Sequence, residues 1–282
     1  MIGSFSDKMH YTTNTASGSA GGFINFVYLS EYFSLDNKQM RSEFFIPENL
    51  DFEDLQSALQ KNTRTLTEPS RTVYRTYYDS FDWRLYLDGS LLEDTRDGND
   101  HTLVWRSLKG AYRCPRLKLN AAPCFARDLP QGPFRKRLEP VLEMRELVQK
   151  FRIRSSIDTL RILNKDEKTV AWLMFEKNTL QRQKGVRSGK LADRAIIIPV
   201  RGFPKPCREL AKLLQEQGLT PAQDDLMLAT LATIGEIPGS YSSKLNLQLD
   251  PGMRADQATK GILHRLLDIM EQNEAGTRTG TE

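Results

Sequence analysis

Residues 71–78 read RTVYRTYY. β-Branched and aromatic side chains lose rotamer freedom against a helical turn but pack well on a pleated, half-buried surface, so this run predicts a strand. Runs of the same character recur at 102–109, 150–162, 169–176 and 194–201. Between them lie DGND at 97–100 and NKDEK at 164–168, whose Gly, Asn and Asp suit tight hairpin turns. Short strands joined by such turns pair with their neighbours, which predicts an antiparallel sheet or barrel.

Working outward, four stretches break the strand pattern. A short helix is expected from Asp51, where Asp51, Glu53 and Asp54 give an acidic first turn and Leu55, Ala58 and Leu59 share a face. A second runs from about Phe134 to Gln149, interrupted by Pro140, and a third from Arg208 to Gln217, closed by Gly218. DDLMLATLATIG, after Pro221, is a fourth. Runs of strands with a few helices make the fold class α+β.

The ends are different in kind. Residues 1–38 hold the small-residue stretch TASGSAGG and an aromatic patch from Phe23 to Phe33, and read as a flexible lead-in without an assigned role. PGSYSSK at 238–244 reads as a boundary. Beyond it, Ile262, Leu263, Leu266, Leu267, Ile269 and Met270 form an apolar helical stripe that needs a partner, and twelve residues follow Met270.

Composition excludes several function classes. The chain has 282 residues, 39% hydrophobic and 27% charged, which describes an ordinary soluble globular protein. A net charge of +4 is too small for a general basic field, so nucleic acid is not the expected partner and any anion site needs local clustering. No apolar run nears the roughly 20 residues that cross a bilayer, and the N-terminus lacks a signal-peptide pattern, so no membrane role and a cytoplasmic location are expected. Cys114, Cys124 and Cys207 are spaced for neither zinc nor a disulfide framework. GxGxxG and GxxxxGK[ST] are absent, and His10, His101 and His264 are scattered.

TYYDSFDWRLYLDGSLLED at 76–94 resembles the YYDT segment and following helix of the CYTH, or triphosphate-tunnel, superfamily, with Ser80 for the usual threonine. WRSLKG at 105–110 is similar to the lysine-bearing strand of that family, and the segments at 128–156, 169–180 and 194–205 follow in the family's order. Residues 241–280 resemble the linker and first helix of a CHAD module.

The resemblance implies an eight-stranded antiparallel β tunnel with flanking helices and a C-terminal helical extension. Its divisions are a lead-in at 1–38, a tunnel domain at 39–218, a helical linker at 219–244, and at 245–282 the first helix of a CHAD domain whose remainder is missing. Inorganic polyphosphate or a triphosphate is the implied partner, with Mg²⁺ or Mn²⁺ if the chain is catalytic.

A phosphate chain requires several cations converging on a narrow space. Strand alternation places Lys150, Arg152 and Arg154 on one face, and the resemblance selects the face of Leu103, Trp105, Ser107 and Lys109 as the inner one, leaving Arg106 solvated. Arg201 and Arg75 are further phosphate-binding candidates. Arg84 reads as a structural partner of Asp79 or Asp82, and Asp79 as a turn or helix cap.

Catalytic members of the family open with Glu-x-Glu-x-Lys. In RSEFFIP, Arg41 takes the first glutamate's place, Glu43 survives and Phe45 takes the lysine's place. RAIIIPVRG carries no carboxylate where the family has a second Glu-x-Glu, which leaves Glu43 and Glu176 as candidate metal ligands. Phosphate binding with weakened or absent catalysis is the resulting expectation. The alternatives are a metal-dependent inorganic triphosphatase that hydrolyses tripolyphosphate, and a non-binding scaffold.

Overall fold

Strand formation follows the β-branched and aromatic runs closely. The computed structural model describes residues 42–108, 116–119, 122–182, 187–200, 202–239 and 249–279. Two sixteen-residue strands, β2 (Arg64–Asp79) and β6 (Val148–Leu163), pair along nearly their whole length and form the spine. Around them stand β1 (Ser42–Phe45), β3 (Ser90–Asp97), β4 (Asp100–Ser107), β5 (Arg116–Lys118), β7 (Thr169–Leu180), β8 (Gly189–Lys190), β9 (Arg194–Pro199) and β10 (Thr220–Pro221).

Every pairing is antiparallel. The hydrogen-bonded order is β10-β1-β9-β7-β6-β2-β3-β4-β5, with β8 on β7. The α+β antiparallel class therefore stands. Among the described residues the sheet has ten strands where eight were expected, and their order does not close on itself.

The turns behave as their residues dictate. Asp97 pairs with Asp100 across a two-residue turn in which Gly98 has φ 59, a left-handed conformation that glycine adopts without penalty. In the 164–168 turn the Asn164 side chain accepts the backbone N–H groups of Asp166 and Lys168 at 3.0 and 2.9 Å. Pro69 falls within the register shift between Glu68 and Arg71, where its missing N–H removes no regular ladder bond.

Three helices and a short 3₁₀ turn cover one face, called here the outer face. α1 (Phe52–Gln60) is capped by Asp51, which accepts the Asp54 N–H at 3.0 Å. With a helix at Pro204–Glu216, it buries Phe44, Leu160, Leu173, Phe175, Ala195 and Ile197. Numbered in chain order, the helices after α1 are α2 (Arg84–Leu87), α3 (Pro133–Leu142), α4 (Pro204–Glu216), α5 (Leu226–Ile234) and α6 (Ala255–Thr279).

α3 and the 3₁₀ turn at Ala126–Asp128 pack over Leu92, Leu103 and Trp105. α3 passes through Pro140, whose missing N–H removes one ladder bond, and ends at Leu142, short of the expected Gln149, where Glu143 takes a positive φ of 54. α5 lies on the opposite, inner face, where Leu226, Met227 and Leu231 meet Tyr77, Leu91, Phe151, Ile153 and Leu180. α6 holds the apolar stripe, with Ile269 buried and Leu263, Leu267 and Met270 exposed. No helix among the described residues is long and apolar enough to cross a membrane.

Candidate functional site

Register decides which side chains share the inner face. Across β2 and β3, Arg75 pairs with Thr95 and Tyr77 with Glu93, and across β4 Glu93 pairs with Val104 and Leu91 with Arg106. On the other side Arg71 pairs with Ile157, Ile157 with Glu176, and Glu176 with Arg194, which itself pairs with Phe45. Paired residues of an antiparallel ladder project to the same side. Arg71, Arg75, Arg106 and Arg194 therefore belong to one face, with Glu43, Glu93, Asp97 and Glu176 among them.

These groups neutralise one another. Arg75 Nη2 donates to Glu176 Oε1 at 2.6 Å, and its Nε lies 3.6 Å from Glu93. Arg75 also donates to the Ser155 hydroxyl, which donates on to Asn178 Oδ1 at 2.6 Å. Arg71 meets Asp97 at 3.3 Å. Arg194 donates through Nη1 to Glu43 at 2.9 Å and stands 5.1 Å from the centre of the Phe45 ring. Burial works against a charged Arg75, and the Glu176 and Glu93 carboxylates more than offset it, so its pKa rises. Burial raises the Asp97 carboxyl, against the pull of Arg71.

The N-terminus of α5 closes this face. Arg106 Nη1 meets Asp225 Oδ2 at 2.6 Å, and Arg194 Nη1 donates to the Asp224 carbonyl at 2.9 Å. β4 and β9 stand five places apart in the strand order, roughly 24 Å on a flat sheet at about 4.8 Å per strand. Two adjacent residues joining arginines from both strands require the sheet to curl strongly around its inner face. Beside the polar layer lies an apolar band of Val73, Ile157, Met174, Ile196 and Ile198.

The predicted cations fare differently. The three residues Lys150, Arg152 and Arg154 do not converge. Tyr77 pairs with Phe151 but Tyr78 with Gln149, so Lys150 is the extra residue of a bulge. Lys150 Nζ sits 4.1 Å from the Trp83 ring centre and 3.3 Å from the Phe81 carbonyl, and burial lowers its pKa. Arg152 and Arg154 pair with Thr76 and Tyr74 on the outer face, where Arg152 donates to Thr76 Oγ1 at 3.2 Å and Arg154 is exposed.

The facing expected for β4 is reversed. Leu103 and Trp105 are buried outward beneath α3, and Arg106 is the residue turned inward. Of the predicted phosphate-binding residues that the structure describes, Arg75 stands among the inner-face arginines and carboxylates, and Lys150 packs on Trp83 at the edge of the apolar cluster beneath α5. Lys109 and Arg201 lie outside the described residues, as does Arg41.

Glu43 and Glu176 both reach the inner face, and their chemistry does not suit a divalent ion there. Each has an arginine guanidinium at hydrogen-bond distance, and a metal would have to share the space with that charge. Among the described residues no three His, Cys, Asp or Glu side chains are gathered as a metal site. Asp79 is a cap, as expected: its carboxylate accepts the N–H groups of Ser80, Leu85 and Tyr86 at 2.8, 2.9 and 2.9 Å. Arg84 binds Asp82 at 3.1 Å and Glu143 at 2.6 Å.

Sequence reasoning missed Arg106, Arg194, Glu93 and Asp225. The first three lie on strands other than those of Arg75 and Glu176, so alternation within a strand does not connect them and cross-strand register is needed. Asp225 belongs to another element, and nothing local announces its contact with Arg106.

No known family's profile matches the chain, and neither does any curated protein. Solved structures do resemble it. HpAC1 from Hippeastrum, named for an adenylyl cyclase and described by a dominant triphosphatase activity, is 13% identical, with 70% of this chain and 97% of that one covered and a TM-score of 0.46. A Bacillus halodurans protein named for an adenylate cyclase is 10% identical, covering 78% and 96%, with a TM-score of 0.39. The inorganic triphosphatase NE1496 is 9% identical over 60% and 79%, with a TM-score of 0.24. At these identities and TM-scores, function has to be argued from the chain's own residues.

Proposed function

We propose that the chain binds a linear phosphate anion, inorganic polyphosphate or a triphosphate, on the inner face of its curled sheet, without metal-assisted hydrolysis. The observation that carries this reading is the convergence of Arg71, Arg75, Arg106 and Arg194 on one face, together with the sequence resemblance at 76–110. Guanidinium groups match phosphate oxygens in bidentate geometry, and a partly enclosed face strengthens each such bond. The pairing of Glu43 and Glu176 with arginines supports binding over hydrolysis, because the carboxylates that would hold Mg²⁺ or Mn²⁺ are engaged. In this reading the protein acts in the cytoplasm, 39–218 is the binding domain, 219–244 a linker, and 245–282 the opening helix of a CHAD module.

Calorimetric titration with tripolyphosphate at low salt and without divalent ions tests the proposal. Saturable binding that weakens with added salt is expected. A second reading, a non-binding scaffold, is favoured by the apolar band of Val73, Ile157, Met174, Ile196 and Ile198 on the same face. Absence of binding at low salt would establish the scaffold. Phosphate release from tripolyphosphate with Mg²⁺ or Mn²⁺ that is lost in Glu43→Gln would establish the metal-dependent hydrolase instead.

A further inference from the structure

The inner face already holds an anion that belongs to the chain itself. Asp225 is the N-cap of α5, accepting the Met227 N–H through Oδ1 at 2.9 Å, while its Oδ2 meets Arg106 at 2.6 Å. One carboxylate thus does two jobs, and only the second needs a negative charge. The neighbouring Asp224 carbonyl accepts from Arg194 at 2.9 Å. Arg194 is 1% exposed, and its Nε and Nη2 are buried without a hydrogen-bond partner among the described residues. Buried guanidinium N–H groups are costly to leave unsatisfied, so these two donors stand ready for an acceptor.

We infer that Arg106 and Arg194 form an anion subsite in which Asp225 occupies the place of a phosphate group, so that the α5 N-terminus competes with the ligand. This deepens the phosphate-binding reading and rests on it. A carboxylate and a phosphate oxygen both accept guanidinium hydrogen bonds, so one can replace the other on Arg106 without a change in the donor. A swing of Oδ2 away from Arg106 leaves the Oδ1 cap in place, and α5 keeps its packing through Leu226, Met227 and Leu231.

The test is Asp225→Asn. Asparagine caps a helix as well as aspartate does, so the fold is retained while the negative charge held against Arg106 is removed. Asp225→Ser, a second uncharged cap, guards against an effect peculiar to asparagine. With tripolyphosphate at low salt and no divalent ion, both variants should bind roughly tenfold tighter than the parent chain. Adding Arg106→Gln to Asp225→Asn should erase the gain. Binding by the variants where the parent shows none supports the inference equally. Parent binding that Asp225→Asn and Asp225→Ser leave unchanged overturns the inference and spares the phosphate-binding reading. No binding by any of the chains overturns both.

Discussion

Substituting Arg75→Met would strand Glu176, whose side chain is 2% exposed and whose Oε1 accepts from Arg75 at 2.6 Å. Glu93, 3.6 Å from Arg75 and 11% exposed, would lose its partner too, although Arg106 lies 3.8 Å from it. Removing one member of a buried pair leaves an uncompensated charge, which costs about 3–5 kcal/mol. That is a large part of the roughly 5–15 kcal/mol that holds a typical domain folded. Adding Glu176→Gln removes the stranded charge at nearly constant volume and should recover about 2 kcal/mol. Urea unfolding, followed by tryptophan fluorescence and circular dichroism, measures the parent, both single variants and the double variant. A cost below about 1 kcal/mol for Arg75→Met, or a double variant that costs the sum of the singles, would refute the buried-pair account.

Asp79 supplies a pH dependence. Burial pushes its carboxyl from 3.8 up to about 6, against three backbone N–H groups that pull the other way. The stability it contributes is full below the unfolded value and lost as pH rises through 6, roughly 3 kcal/mol for two units. The unfolding free energy of Asp79→Asn should therefore lack that part of the parent's decline between about pH 4 and 6. Arg152→Ala with Arg154→Ala should leave tripolyphosphate affinity within about twofold, because both lie on the outer face; a tenfold loss would move the site there. Ile157→Ala, in the apolar band of the inner face, should cost about 2–5 kcal/mol in urea unfolding, with circular dichroism showing the fold retained.

Much of the fold was written locally. The RTVYRTYY run and its repeats became strands, Asp51 and Asp225 became caps, and Gly98, Gly218 and Gly235 adopted the left-handed conformations that end turns and helices. These outcomes depend on side chains a few residues apart, so a linear reading captures them. Pro140 was expected to interrupt its helix, but the helix runs through it to Leu142 and ends where Glu143 takes a positive φ.

The facing of the strands was not local. A single extra residue at Lys150 undid the same-face reading of Lys150, Arg152 and Arg154, and the inner face of β4 proved to be that of Arg106 rather than Trp105. Alternation of period two says which residues share a side but leaves the choice of side to packing, and here α3 claimed Leu103 and Trp105 for the outer core. Partners of the charged groups were further still from sequence: Arg75 with Glu176, Arg194 with Glu43, Arg106 with Asp225. Sequence alone determined that this chain would be an antiparallel α+β protein with arginines on its strands. Tertiary structure decided which arginines meet and which carboxylates hold them, because charge pairing across a curled sheet depends on register and curvature, which no short stretch encodes.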